Sequence, residues 1–174
     1  LSVDTLHLTI STGLLVSARV LLSGPYVGGG LMHDSLRAKN LIPHVEPYTL
    51  PPYNKLPVGE AGGDTVSASV LAVTGPDAIV DWIFIEMRQA TNPSTVIYNK
   101  RALLQRDGDI VATDGISPLN FPTLPSGLYY MSVKHRNHLG VMTATAIPFN
   151  GCNINYIDFS NTAPVYANPY ISNT

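Results

Sequence analysis

Charge is what this sequence has least of. Only 13% of its 174 residues are Asp, Glu, Lys or Arg, and the formal net charge is −2, where globular chains average about 25% charged. There is no basic stripe for nucleic acid and no acidic tail, so a nucleic-acid partner is not expected. The same shortage leaves more uncharged surface than a solitary domain usually carries, which points to cover by another chain. Cysteine is scarce too. Cys152 stands alone, so no disulfide forms within the chain, and the compartment is not fixed by cysteine usage. No apolar run reaches the length of a membrane-spanning helix, so no membrane span is expected. Glutamate occurs only at Glu46, Glu60 and Glu86. A two-carboxylate glycosidase would therefore need Asp, and no Asp pair stands out. No Gly-x-Ser-x-Gly elbow occurs. Gly28, Gly29 and Gly30 in "GPYVGGGLM" lack the Lys and Ser/Thr of a phosphate-binding loop. With nucleophile, base and orienter nowhere assembled, no enzyme and no organic cofactor are expected. Pro93 after Asn92 spoils the Asn-x-Ser/Thr pattern, so N-glycosylation of that type is not expected.

Helical periodicity is weak as well, and "HDSLRAKNL" (33–41) is its best candidate. What is abundant is strand pattern. Segments rich in Val, Ile, Thr and Tyr recur between Gly, Pro, Asn and Asp clusters. "VDTLHLTIS" alternates Leu6, Leu8 and Ile10 with polar residues. "LLVSARVLLSG" sets Val16, Ala18, Val20 and Leu22 on one side, and "TVSASVLAVTG" repeats this with Val66, Ala68, Val70 and Ala72. "AIVDWIFIEMR" is apolar on both faces, the signature of a central strand buried on both sides. "STVIYNKRALLQR", "LYYMSVKHR", "VMTATAIPF" and "INYIDF" follow, separated by turn sequences such as "RDGD", "LPSG" and "NHLG". The fold expected is all-β: an antiparallel, immunoglobulin-like β-sandwich of about seven to nine strands, with the lone Trp82 on its central strand. Residues 1–13 read as an N-terminal extension strand, 14–160 as the sandwich and 161–174 as a tail. A chain opening on Leu1 without a leader pattern reads as a processed form or an excised piece. From Gly24 to Asp64 strand pattern gives way to Pro25, Pro43, Pro47, Pro51, Pro52 and Pro57. This one long irregular loop is expected to lie across the sandwich as ordered structure with a short helical turn.

Several long motifs resemble a known module. "VLLSGPYVGGGLMHDSLRAKNLIPHVEPYT", "GGDTVSASVLAVTGPDAIVDWIFIEMR", "ALLQRDGDIVATDGISPLNF" and "GLYYMSVKHRNHLGVMTA" are similar, in this order, to a C-terminal β-sandwich module of large secreted and cell-surface proteins of the Bacteroidetes. The resemblance implies an extracellular or cell-surface β domain, and it carries no catalytic residue over to this chain.

The most chemically suggestive run is "KHRNHLG". Alternation puts His135 and His138 on opposite faces, a shared metal would need a third ligand, and "NHLG" reads as a hairpin tip. Asp107, Asp109 and Asp114 in "RDGDIVATDG" are weak calcium candidates, because Asp-x-Asp opens calcium loops; two Asp-Gly turns account for them without an ion. Glu86 shares a face with Arg88 and invites an ion pair with Lys134 or Arg136 across strands. By alternation Lys100 and Lys134 fall on solvated faces, which leaves a Lys–Asn cross-link no core lysine. Tyr48, Tyr53, Tyr166 and Tyr170 lie in Pro-rich segments. They either contact a ligand or partner, or staple the loop and tail to the sandwich.

Two functions follow as expectations. The first is a non-catalytic extracellular structural subunit whose copies join by strand addition into a filament or surface assembly, with Leu6, Leu8 and Ile10 filling a neighbour's groove. The second is a monomeric accessory module that binds cell-surface glycan or the cell envelope for a larger secreted protein, through the long loop and its tyrosines.

Overall fold

A computed structural model describes residues 13–160, and the backbone of Val165 and Tyr166. Among the described residues the protein is all-β apart from two four-residue helical turns. The strands are β1 (Leu14–Arg19), β2 (Tyr26–Gly28), β3 (Leu31–Met32), β4 (Ile79–Gln89), β5 (Asn92–Gln105), β6 (Asp109–Val111), β7 (Leu119–Phe121), β8 (Gly127–His135), β9 (His138–Thr143), β10 (Ile147–Phe149), β11 (Ile154–Asp158) and β12 (Val165–Tyr166); the helical turns are α1 (Ser35–Ala38) and α2 (Ala68–Leu71). Ten strands share one sheet in the order β11-β1-β6-β5-β4-β8-β9-β12, with β10 added to β8 and β7 to β1, while β2 and β3 form a separate hairpin. The excess over the seven to nine expected consists of pieces of two or three residues, too short to show alternation in sequence.

The sheet folds over into two layers around one large core. Leu14, Val16, Ala18 and Val20, with Ile157 of β11, meet Ile83, Ile85 and Met87 of β4 and Met131 and Val133 of β8 in a single cluster. Central β4 is buried from Ile79 through Met87, and it pairs antiparallel with β5 on one side and β8 on the other. Among the described strand pairs the antiparallel rule has one exception. β1 pairs β11 in parallel, Leu15 opposite Ile154 through Arg19 opposite Asp158. Parallel neighbours need a long connection, and here nearly the whole domain supplies it.

The second face of β4 is covered by the long segment. Trp82 and Phe84, with Leu103 and Val111, pack against Ile42, Tyr48 and Val66. Trp82 therefore points away from the interlayer core, and its indole N–H donates to the Pro43 carbonyl at 2.8 Å. The segment is ordered as expected, with α1 and the β2–β3 hairpin inside it. Gly28, Gly29 and Gly30 all have φ between +62° and +93°, a region costly for residues with a Cβ, so the triple glycine serves that hairpin's turn.

"TVSASVLAV" departs from expectation. It contains helical turn α2, not a strand, because the Ser67 side chain accepts from the Val70 amide and caps it. Val66 is buried, whereas Ala68 and Ala72 face solvent.

Candidate functional site

Three places gather the residues that sequence reading singled out. The first is the β8–β9 hairpin. Its tip is a two-residue turn, Arg136–Asn137, which sets His135 opposite His138. Alternation fails across a turn because the chain reverses, so the two imidazoles meet, correcting the expectation of opposite faces. Their Nδ1 atoms lie 2.9 Å apart. His135 Nε2 lies 3.1 Å from Oδ2 of Asp81, a residue fully buried on β4. Arg136 grips the same carboxylate with three contacts of 2.8–3.0 Å. The carboxylate accepts only, so His135 carries its hydrogen on Nε2. Its Nδ1 is then a bare acceptor, and it receives the Asn137 amide at 3.2 Å together with the Nδ1–H of His138. Cavities of about 320 Å³ and 250 Å³ reach the pair, walled by apolar side chains such as Leu22, Val80, Ile83 and Val133. The chemistry of this cluster is that of a lock fastening the hairpin tip to the central strand.

Lower on the same hairpin, Glu86 bonds Arg88 on its own strand, and Lys134 and Ser132 across the β4–β8 pair. The expected Glu86–Arg88–Lys134 grouping is present, while Arg136 goes to Asp81 instead. Lys134 and Lys100 are half-buried and paired, to Glu86 and Glu60 respectively, so neither sits on a solvated face. Burial alone would raise the Glu86 carboxyl, but Lys134 and Arg88 outweigh it and hold the group below its ordinary 4.5. A depressed carboxylate contributes stability above its unfolded pKa and loses it as pH falls through the folded value. Glu86 should therefore add a fall in the wild-type urea midpoint below about pH 4.5, and Glu86→Gln should flatten that part of the curve.

The second place is the root of the long segment. Glu46 is fully buried and accepts from the Tyr48 amide at 2.7 Å, the Thr49 amide at 3.2 Å, the Gly63 amide at 3.1 Å and the Thr49 hydroxyl. Arg101 of β5, equally buried, brings its Nε to 3.8 Å from Glu46 and its guanidinium over the Phe84 ring. Asn99 ties the segment on further through the Leu56 carbonyl and the Val58 amide. Tyr48 is 3% exposed, stacks on Phe84 and donates to the Trp82 carbonyl. It staples the loop, leaving no face for a ligand. Tyr53 is half-buried against Tyr48. Glu46, Arg101 and Asp81 were not singled out from sequence. The one local signal was a Glu two and three residues ahead of Tyr48 and Thr49, the spacing at which a side-chain acceptor caps backbone amides.

Two of the calcium candidates, Asp107 and Asp114, serve turns, while Asp109 opens β6. Asp107 accepts from the Asp109 amide, and Asp114 from the Ile116 and Ser117 amides and the Ser117 hydroxyl. Among the described residues no group of three or more His, Cys, Asp and Glu is placed to hold a metal, and no helix is long and apolar enough to cross a membrane.

The third place is the pair of sheet ends. At one, β9 is joined by β12 of the chain's own C-terminal region, Tyr166 opposite Met142. At the other, β11 has β1 on one side and no partner on its outer side among the described residues. Ile154 is 57% and Tyr156 65% exposed there, beside Leu15 of β1 at 37%. Leu6, Leu8, Ile10 and Tyr170 lie outside the described residues.

Protein-family models, curated proteins and solved structures give no match to this chain. None of these comparisons links it to the Bacteroidetes surface module, so that resemblance rests on the quoted motifs alone.

Proposed function

We propose that this chain is a non-catalytic structural module of an extracellular or cell-surface protein, and that its copies join by strand addition. The observation that carries the reading is the open sheet. Its path has two ends rather than closing as a barrel, and at the β11 end a row of backbone groups has no partner among the described residues. An uncovered edge is a template for another strand. The polar clusters support a structural role: Asp81 with His135 and Arg136, and Glu46 with Arg101, spend their charge on fastening the hairpin and the long loop. Burying Leu6, Leu8 and Ile10 in a neighbour would contribute on the order of 5 kcal/mol before association costs. Head-to-tail addition does not close, so it builds filaments.

Electron microscopy and light scattering of the purified chain test this, beside Leu8→Asp and a version lacking residues 1–11. Oligomers or filaments that disappear in both variants, with the β circular dichroism of the domain unchanged, are the expected result. Dispersed monomers in all three samples would remove the reading. Glycan binding by that monomer would then favour the accessory-module alternative.

A further inference from the structure

We infer that the outer edge of β11 is the acceptor, and that the strand it takes is Leu6–Ile10 of a second copy; this rests on the strand-addition reading above. Four observations converge on it. The sheet path ends in β11 and β12; β12 is only two residues long, whereas β11 offers five, and among the described residues its outer side has no partner strand. β11 also carries few of the usual guards of an edge strand, its one charge being Asp158 at its C-terminal end. Its sequence, Ile-Asn-Tyr-Ile-Asp, has no Lys and no Pro, and its register with β1 runs without a bulge. Edges that must stay single are normally blunted by such features.

The side chains match as well. On β11 the exposed residues are Ile154 and Tyr156, two apart, and Leu15 lies directly across from Ile154. An incoming strand with apolar residues at every second position extends this row on the same face. The segment before Gly13 has that pattern at Leu6, Leu8 and Ile10 over five residues, the length of β11. The tail "NTAPVYANPYISNT" has no such alternation.

The last observation favours a second copy over the chain's own N-terminal segment. Gly13 is wedged beside β7: a Cβ there would lie 2.4 Å from Pro122 Cα and 2.6 Å from the Phe121 carbonyl oxygen. β7 flanks β1 opposite Leu14–Val16, so the backbone just before β1 is held against the β7 side. To reach the outer edge of its own β11, the chain would have to double back around the start of that strand directly from this clamp.

A disulfide experiment decides it. Every chain carries Cys152→Ser; one bears Leu8→Cys, and a second, of different length through an affinity tag, bears Tyr156→Cys. Position 8 falls beside position 156 whether the donated strand runs parallel or antiparallel to β11, so mild oxidation should yield the mixed-length dimer in high proportion. A chain bearing both cysteines should give a ladder of covalent oligomers. Tyr156→Lys, at a position already 65% exposed, should leave the fold intact and raise the concentration of half-assembly by more than about tenfold. If the doubly substituted chain closes only on itself as a monomer, the segment belongs to its own sheet and the inference falls. If the native chain assembles but neither the mixed dimer nor the Tyr156→Lys effect appears, the acceptor lies elsewhere while strand addition stands. If the native chain stays monomeric, both fall.

Discussion

Glu46→Ala is expected to cost about 3–5 kcal/mol, and to do so by loosening the Gly24–Asp64 segment before the sandwich itself gives way. The size follows from what is left behind. Arg101 is buried with Glu46, and its guanidinium cannot shed its proton. Its remaining hydrogen-bond and ring partners, Asn99 Oδ1, the Lys55 carbonyl and the Phe84 ring, carry no full negative charge, and Asp64, whose carboxyl feels the Arg101 charge, is itself pushed toward its neutral form by burial. The substitution therefore strands a cation in the interior. It also orphans the Tyr48, Thr49 and Gly63 amides and the Thr49 hydroxyl, each a further loss where water cannot replace the carboxylate. Glu46→Gln separates the two contributions, because it keeps an acceptor oxygen and removes the charge, so it should fall between wild type and Ala. Chemical unfolding gives the totals, and hydrogen exchange gives the order of events. The Lys55 amide, bonded to the Tyr48 carbonyl, and the Asn99 amide, bonded to the Val58 carbonyl, should lose protection well before the β4–β5 ladder does. A Glu46→Ala protein as stable as wild type would mean that Arg101 has reached solvent, and would remove Glu46 as the anchor.

What was legible in the sequence is what depends on neighbours along the chain. β4 showed itself by apolar residues on both faces, β1 by Val16, Ala18 and Val20, and the Glu86–Arg88 pair by its spacing within one strand. The prolines marked the irregular segment. What was not legible depends on pairs far apart. Asp81 gave no local sign of its role, because its partners Arg136 and His135 are more than fifty residues away. Tyr48 sat among prolines, where a ligand contact and a staple to the sandwich read equally well, and the face of β4 it covers appears only when Trp82 and Phe84 are seen to point outward from the main core. The alternation in "TVSASVLAV" was real, yet its residues are small, and small residues bury too little surface to outweigh the local Ser67 cap. His135 and His138 show the limit of face counting most directly. The rule holds along a strand and inverts at the two residues where the chain turns.

The hairpin lock yields the second large effect. Asp81→Ala should cost about 3 kcal/mol, the low end for breaking a buried pair, because Arg136 is 18% exposed and can turn its charge to water while His135, at 5%, cannot. Asp81→Asn asks a finer question. In the wild type the carboxylate fixes hydrogen on Nε2 of His135, which leaves Nδ1 to accept from His138, so His138 carries hydrogen on Nδ1. Nitrogen-15 correlations across the two rings should show these two opposite tautomers. Burial, and after it the neighbouring His135, already lower the His138 pKa below its ordinary 6.5, while Asp81 opposes them. The unfolded chain thus takes up a proton at His138 before the folded chain does, and stability should decline as pH falls below about 6.5. Removing the Asp81 charge takes away the one opposing influence, so in Asp81→Asn His138 should titrate at still lower pH. If the amide nitrogen turns toward His135, the hydrogen on Nε2 must move to Nδ1. The bond to His138 must then reverse, with His138 moving its hydrogen to Nε2, and the Asn137 amide loses its acceptor. A His138 titration unchanged in Asp81→Asn, with both tautomers as before, would show that the hairpin is held by Arg136 alone and that the imidazole pair is a passenger.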